Sequence, residues 1–150
     1  MVKIREAFKK DSNAIATMMI ELYDYHSKLG VPVDEQLPTK SKLKTLISDM
    51  IETDKTLKFY ICETDTKEIA GYMAITDLGK DYIINYLYVK EKHRGSGYGT
   101  KLLTFAKEKA IENKKEGIRI SNMVGNESAA DMYDKLGFKA VKITRRLSLC

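Results

Sequence analysis

Two rhythms of apolar residues divide the chain. Asp11 or Ser12 can cap a helix, and behind them Ile15, Met18, Met19, Leu22 and Leu29 recur on one helical face until Gly30, with Pro32 forbidding continuation. The methionines on that face read as core filler. A loop over 31–39 holds both prolines, and a second helix runs from about Ser41 to Glu52. There Leu43, Leu46, Ile47, Met50 and Ile51 fill the i, i+3, i+4, i+7, i+8 template. The period then drops to two. Leu57, Phe59 and Ile61 alternate with Lys58 and Tyr60, the polar stretch Glu63 to Glu68 turns the chain, and Ile69 to Ile75 returns as a strand. Leu78, Gly79 and Lys80 make the next turn, into Asp81 to Val89. Links this short force an antiparallel meander, since a parallel pair needs a crossover of roughly a dozen residues or more.

Ahead of these elements, Val2 to Phe8 reads as a first strand with Val2, Ile4, Ala7 and Phe8 inward. After the meander comes a crossover. A helix from about Gly97 to Glu116 buries Leu102, Leu103, Ala106, Ala110 and Ile111 and stops at Gly117, which makes Ile118 to Val124 a strand parallel to the third meander strand. A short helix from about Glu127 to Leu136, closed by Gly137, leads to a final extended segment from Phe138 to Leu149. The pattern predicts one domain over 1–150: an α/β fold (α+β, mixed sheet) with helices before, between and after its strands.

Composition narrows the function classes. No apolar run approaches the roughly 20 residues of a membrane span, and the opening MVKIREAF has no apolar signal region, so a cytoplasmic protein without membrane contact is expected. Cys62 and Cys150 lack metal-like spacing; both read as reduced, structural thiols, and no metal is expected. The net charge of +5 suits an anionic partner. The lysines are scattered among acids, so an anionic cofactor needs fewer assumptions than nucleic acid, which is not the expected partner.

The stretch that carries chemistry is Asn85 to Ala106, a strand feeding the loop Arg94-Gly95-Ser96-Gly97-Tyr98-Gly99-Thr100-Lys101 and then a helix. Such a junction gathers free backbone N–H groups at the positive end of a helix dipole and binds phosphate. A nucleotide P-loop would need GxxxxGK[ST], yet here Lys101 follows Thr100 and no Ser or Thr follows the lysine. A dinucleotide fingerprint would need its third glycine one residue later and a parallel sheet before it. A ligand-free turn is the third reading, against which three glycines in five residues stand.

Leu87-Tyr88-Val89, followed by Arg94, Gly97 and Gly99, resembles the R-x-x-G-x-G signature of the GNAT superfamily of N-acetyltransferases. A second block, Asn126, Ala129, Tyr133 and Leu136-Gly137-Phe138, matches that family's N-x-x-A-x-x-x-Y-x-x-x-G-F. The resemblance covers nearly the whole chain, including Gly71 in the third strand, and implies a sheet of six to seven strands with four helices. It also implies acetyl-CoA as co-substrate. The pyrophosphate would rest on the N–H groups of Gly95, Ser96, Gly97, Tyr98, Gly99 and Thr100, with charge from Arg94 if that residue is not simply solvated. The pantetheine arm would pair with Leu87 and Val89 in a gap between the strands at Asp81–Val89 and Ile118–Val124, and an N–H near Leu87 or Tyr88 would polarise the thioester carbonyl. Asn126 and Ala129 would face the cofactor, although Asn126 reads equally as a helix cap, with Ser128 and Asp131 as an alternative cap. Tyr133, otherwise a core tyrosine, would protonate the leaving thiolate. His93 reads as an exposed loop residue.

Direct attack by an amine also needs a base. Relatives often place a carboxylate on the strands here spanning Asp81–Val89 or Ile118–Val124, and this chain has Ile83 and Asn85 inward, by parity with Leu87, and Ser121. Asn85 can orient a water and is the expected catalytic partner of Tyr133; Glu63, Asp77, Glu21, Asp24, His26 and the Asp34–Glu35 pair remain as bases. Asp24, Tyr25 and His26 with Asp34 and Glu35 suit a cationic small-molecule or peptide amine. Phe138 to Cys150 leaves room for one long strand or a tight hairpin where relatives have two strands, and an incomplete sheet edge there invites a homodimer. The expected activity is acetyl transfer from acetyl-CoA to a primary amine in a ternary complex; the alternative is a non-catalytic acyl-CoA sensor or scaffold on the same fold.

Overall fold

The computed structural model describes residues 2–30 and 37–149. Its elements are β1 (Lys3–Glu6), α1 (Ser12–Lys28), α2 (Lys40–Thr53), β2 (Leu57–Glu63), β3 (Ile69–Asp77), β4 (Asp81–Val89), α3 (Tyr98–Glu112), β5 (Gly117–Ile120) and α4 (Glu127–Lys135). Short 3-10 turns at Lys9–Asp11 and Glu91–His93 precede α1 and the glycine loop. The sheet order is β1-β2-β3-β4-β5, antiparallel throughout except for the parallel β4–β5 pair. The expected meander and crossover are therefore present. The prolyl loop, with Pro32 and the Asp34–Glu35 pair, lies outside the described residues apart from its last three positions, as does Cys150.

Because successive strand residues point to opposite faces, β2 and β3 supply two cores. Phe59, Ile61, Tyr72 and Ala74 meet Ile15, Met18, Leu43 and Ile47 of α1 and α2. Tyr60, Cys62, Met73 and Ile75 meet Leu102, Leu103, Ala106 and Tyr133 of α3 and α4. Ile15, Ile47 and Leu102 are wholly sealed, and full burial of one such side chain is worth about 1.5–3 kcal/mol. Burial also raises the Cys62 thiol pKa, consistent with a structural cysteine.

Where the described chain departs from the pattern, local chemistry explains it. Phe8, expected inward, is exposed because the 3-10 turn rotates it out, and its ring receives the Arg5 and Lys10 cations at 5.2 and 5.8 Å. Leu46 is half exposed at the margin of the α2 stripe. Ile111 is exposed because α3 ends four residues sooner than expected: Lys114 turns left-handed (φ 57°) and the Lys115 N–H bonds back to the Ala110 carbonyl. Gly117, read as the helix stop, instead opens β5, where a Cβ would lie 3.2 Å from Asp81 Oδ1.

The sheet has five strands among the described residues, not six or seven. Alternation after Phe138 predicts an extended backbone, but extension alone supplies no ladder partner. Residues 138–149 are not in a strand, and Val141, Ile143, Leu147 and Leu149 are all at least 70% exposed. Gly137 (φ 92°) closes α4 as expected, with the Phe138 N–H bonded to the Tyr133 carbonyl.

Candidate active site

β4 is where the sheet becomes irregular. Gly71, Tyr72, Met73 and Ala74 of β3 stand opposite Val89, Tyr88, Leu87 and Tyr86, but the next residue, Ile75, stands opposite Ile84. Asn85 is the extra residue of a bulge. Side-chain parity slips there, so Leu87 and Val89 share the α3 face with Tyr82 and Ile84, not with Ile83 and Asn85 as strict alternation predicts. Asn85 instead donates its amide to Thr76 Oγ1. Thr76 follows Tyr72 and Ala74 in the period of the α1 face, and so Asn85 is drawn to that face.

The β4–β5 ladder ends at the same place. Its last pair is Ile84 with Ile120, so on the β5 side the β4 edge from Asn85 to Val89 has no strand beside it among the described residues. The Lys90 N–H bonds to the Ala70 carbonyl at 2.8 Å, which makes Gly71–Val89 a non-hydrogen-bonded pair and Tyr72–Tyr88 the pair exchanging both bonds. The N–H and C=O of Leu87 and Val89 therefore point into the gap, whereas those of Tyr88 are spent on β3. Of the two backbone N–H groups read as a carbonyl polariser, only that of Leu87 is free to act.

The strand runs into the glycine loop. Gly95 and Gly97 both sit at φ 81°, a conformation that L side chains rarely adopt. At Gly99 a Cβ would come within 3.1 Å of Met132 Sδ, so that glycine lets α3 pack close to α4. The first α3 bond runs from the Lys101 N–H to the Gly97 carbonyl, and the N–H groups of residues 95–100 donate to no acceptor among the described residues. Ser96 and Thr100 are exposed and Tyr98 is half-buried against His93. The Arg94 Nε–H caps the Val89 carbonyl at 3.0 Å, and its guanidinium stacks on Tyr25 and Tyr88 at 4.8 and 5.3 Å. This arginine is held on the rim of the gap.

Asn126 and Tyr133 close the far side. Asn126 Oδ1 accepts from the Ala129 N–H at 3.3 Å, so the cap reading holds and the Ser128–Asp131 alternative is not formed. Its Nδ2 remains available and lies 3.4 Å from His26 Nε2. The Tyr133 ring is buried beside Phe138, its hydroxyl makes no hydrogen bond among the described residues, and burial pushes its pKa up to about 12. The phenol is protonated at neutral pH.

Residues 55–140, more than half of the chain, match the acetyltransferase (GNAT) domain family. The chain belongs to this family. A streptothricin acetyltransferase from Escherichia coli is 32% identical over 73 residues, which span 48% of this chain and 42% of that protein. A possible acetyltransferase from Clostridium difficile superposes with a TM-score of 0.78 at 17% identity, covering 100% of this chain and 98% of that one. A predicted acetyltransferase with acetyl-CoA from Clostridium acetobutylicum gives 0.72 at 20% identity, covering 99% and 97%. A ribosomal-protein-alanine N-acetyltransferase from Brucella melitensis gives 0.76 at 15% identity, covering 99% and 100%. At these identities the structural likeness speaks to the fold.

Within this GNAT framework the candidate bases separate. Glu63 is locked in ion pairs with Arg5 and Lys67, and Asp77 holds Lys115 Nζ at 2.7 Å, both away from the gap. Asp24 is exposed. Glu21 Oε2 accepts from the Tyr88 hydroxyl at 3.1 Å. His93 is half-buried rather than exposed, with Nε2 3.5 Å from Glu68. Glu21, Tyr25 and His26 of α1 thus converge on β4, the glycine loop and α4. The sequence names these residues but misses two couplings, Tyr88 with Glu21 and Tyr25 with Arg94; the only signal was the i, i+4 spacing of Glu21 and Tyr25.

Proposed function

We propose that the protein is an acetyl-CoA-dependent N-acetyltransferase acting on a primary amine by direct attack in a ternary complex. The observation that carries this reading is the open β4 edge at Leu87 and Val89, continuous with six free N–H groups at the start of α3. An extended amide-bearing arm ending in a pyrophosphate fits both parts: the edge offers alternating donors and acceptors, and the loop offers an anion cradle free of Cβ atoms at Gly95, Gly97 and Gly99. Acetyl-CoA supplies an activated thioester there. The residues of this chain do the remainder. Leu87 N–H polarises the carbonyl, Tyr133 O–H protonates the departing sulfur, and Asn85 Oδ1 orients the amine or its water. Glu21, Tyr25 and Tyr88 give the α1 side a carboxylate and aromatic faces suited to a cationic acceptor. A small molecule or a peptide amine can enter there.

A thiol-release assay with acetyl-CoA against polyamines, amino sugars and peptide amines tests the reading. Turnover on at least one amine supports it. Tight acetyl-CoA binding without turnover on any amine assigns the chain to the non-catalytic sensor class instead.

A further inference from the structure

We propose that His26 is the proton acceptor of the transfer, and that cofactor binding uncaps it. This rests on the acetyltransferase reading above and names the base that reading lacks.

The geometry sets His26 apart from the other described candidates; Asp34 and Glu35 lie outside the described residues. Among the described residues Glu63 and Asp77 are engaged with Arg5, Lys67 and Lys115, Glu21 accepts from Tyr88, and Asp24 points to solvent. His26 sits in the last turn of α1, half-buried, and reaches across to the N-terminus of the helix that carries Tyr133. Asn126 Oδ1 is committed to the Ala129 N–H, so the group facing His26 Nε2 is the Nδ2 donor. A donor there requires a lone pair on Nε2 and a proton on Nδ1; an imidazolium would set two N–H groups against each other. Burial acts in the same direction and lowers the His26 pKa. The charged groups on the surrounding elements are Asp24 and Lys28 on its own helix, Arg94 on the glycine loop and Glu127 beside Asn126, and none of them is a cause of that shift. The imidazole is thus a neutral base with its lone pair covered by a side chain assigned to the cofactor. When Asn126 donates to the cofactor instead, the lone pair is exposed on the face toward which Asn85 is drawn.

The proton count closes. The acceptor ammonium gives one proton to His26 Nε2, directly or through a water oriented by Asn85, and the freed amine attacks. The C–N bond forms and the C–S bond breaks as Tyr133 passes its proton to the sulfur. The second nitrogen proton returns to Tyr133 through water, and His26 releases its own to solvent. One ammonium and one thioester become one amide, one thiol and one proton.

The chain has only two histidines, so the imidazole Hε1 signals are resolvable by NMR, with His93→Gln assigning them. In the free protein burial holds the His26 midpoint below the ordinary imidazole value. Saturating acetyl-CoA raises that midpoint as the Asn126 contact is released. In His26→Gln, kcat/KM for the amine at saturating acetyl-CoA falls about 100-fold and the acid limb of its pH profile disappears, with acetyl-CoA affinity within about threefold of wild type. An unchanged acid limb, or a His26 midpoint that does not move while other resonances respond to acetyl-CoA, overturns the proposal and leaves the acetyltransferase reading standing. If no resonance responds to acetyl-CoA, the cofactor reading fails and His26 falls with it.

Discussion

The tight contact of β3 with β4 at Gly71 makes a quantitative prediction. A Cβ placed on Gly71 lies 2.5 Å from the Tyr88 carbonyl oxygen and 3.2 Å from Val89 Cα, and both are backbone atoms that cannot swing aside. Ordinary contact begins near 3.4 Å, so Gly71→Ala must part β3 from β4 by about 1 Å. The strain costs about 1–3 kcal/mol. Weakening the two bonds of the Tyr72–Tyr88 pair adds about 1 kcal/mol, for a total of about 2–4 kcal/mol. For a chain of this size each kcal/mol lowers Tm by about 2–4 °C, which gives a fall of about 5–15 °C. Because the same displacement shifts Leu87 and Val89, acetyl-CoA affinity should drop by about tenfold, or about 1.4 kcal/mol. Gly79→Ala is the control: unlike Gly71 this glycine is left-handed (φ 87°) and has nothing within 4 Å, so backbone strain alone costs about 1–2 kcal/mol and affinity does not change. Thermal melts and calorimetric titration with acetyl-CoA measure both quantities. A Gly71→Ala protein with wild-type Tm and wild-type affinity would refute the register on which the open edge depends.

Two further predictions concern groups set by burial. Tyr133→Phe should lower kcat by about 10²–10⁴-fold with little change in acetyl-CoA affinity; since the phenol pKa is near 12, its ionisation adds no alkaline limb below about pH 10 in wild type. Asp11 is buried, which opposes ionisation, yet Arg5 at 2.9 Å and the Phe8 N–H at 2.7 Å outweigh this and hold its carboxyl below the usual range. Its stabilisation is complete above the ordinary carboxylate pKa of about 4 and is lost as pH falls through the lower native value. Asp11→Asn should therefore cost about 3 kcal/mol at pH 7 and flatten the acid limb of stability, read from urea midpoints at pH 7 and pH 3.

The helices and the meander were legible because their signals are local. Leu43, Ile47, Met50 and Ile51 state a helix face whatever lies opposite, and links as short as 78–80 leave only an antiparallel answer. The loop glycines were legible for the same reason, since a left-handed φ is a property of one residue. What sequence could not show depends on partners. Nothing in the string Ile84-Asn85-Tyr86 marks a bulge, because the insertion exists only relative to β3. Residues 138–149 alternate like a strand, and pairing is decided elsewhere in the chain. His26 meets Asn126 across a separation of 100 residues, which no spacing rule anticipates.

The extra residue in β4 has a consequence for how the protein tolerates change. A complete substitution scan along residues 81–89 should show sensitivity alternating with period two, then a half-cycle phase jump at position 85. Deleting Asn85 would restore perfect alternation and keep Tyr82, Ile84, Leu87 and Val89 on one layer, whereas straightening β4 with Asn85 retained would transpose one of those pairs onto the opposite layer. One strand thus belongs to two independent selection regimes, with its first half answerable to packing against β5 and its second half to whatever fills the gap.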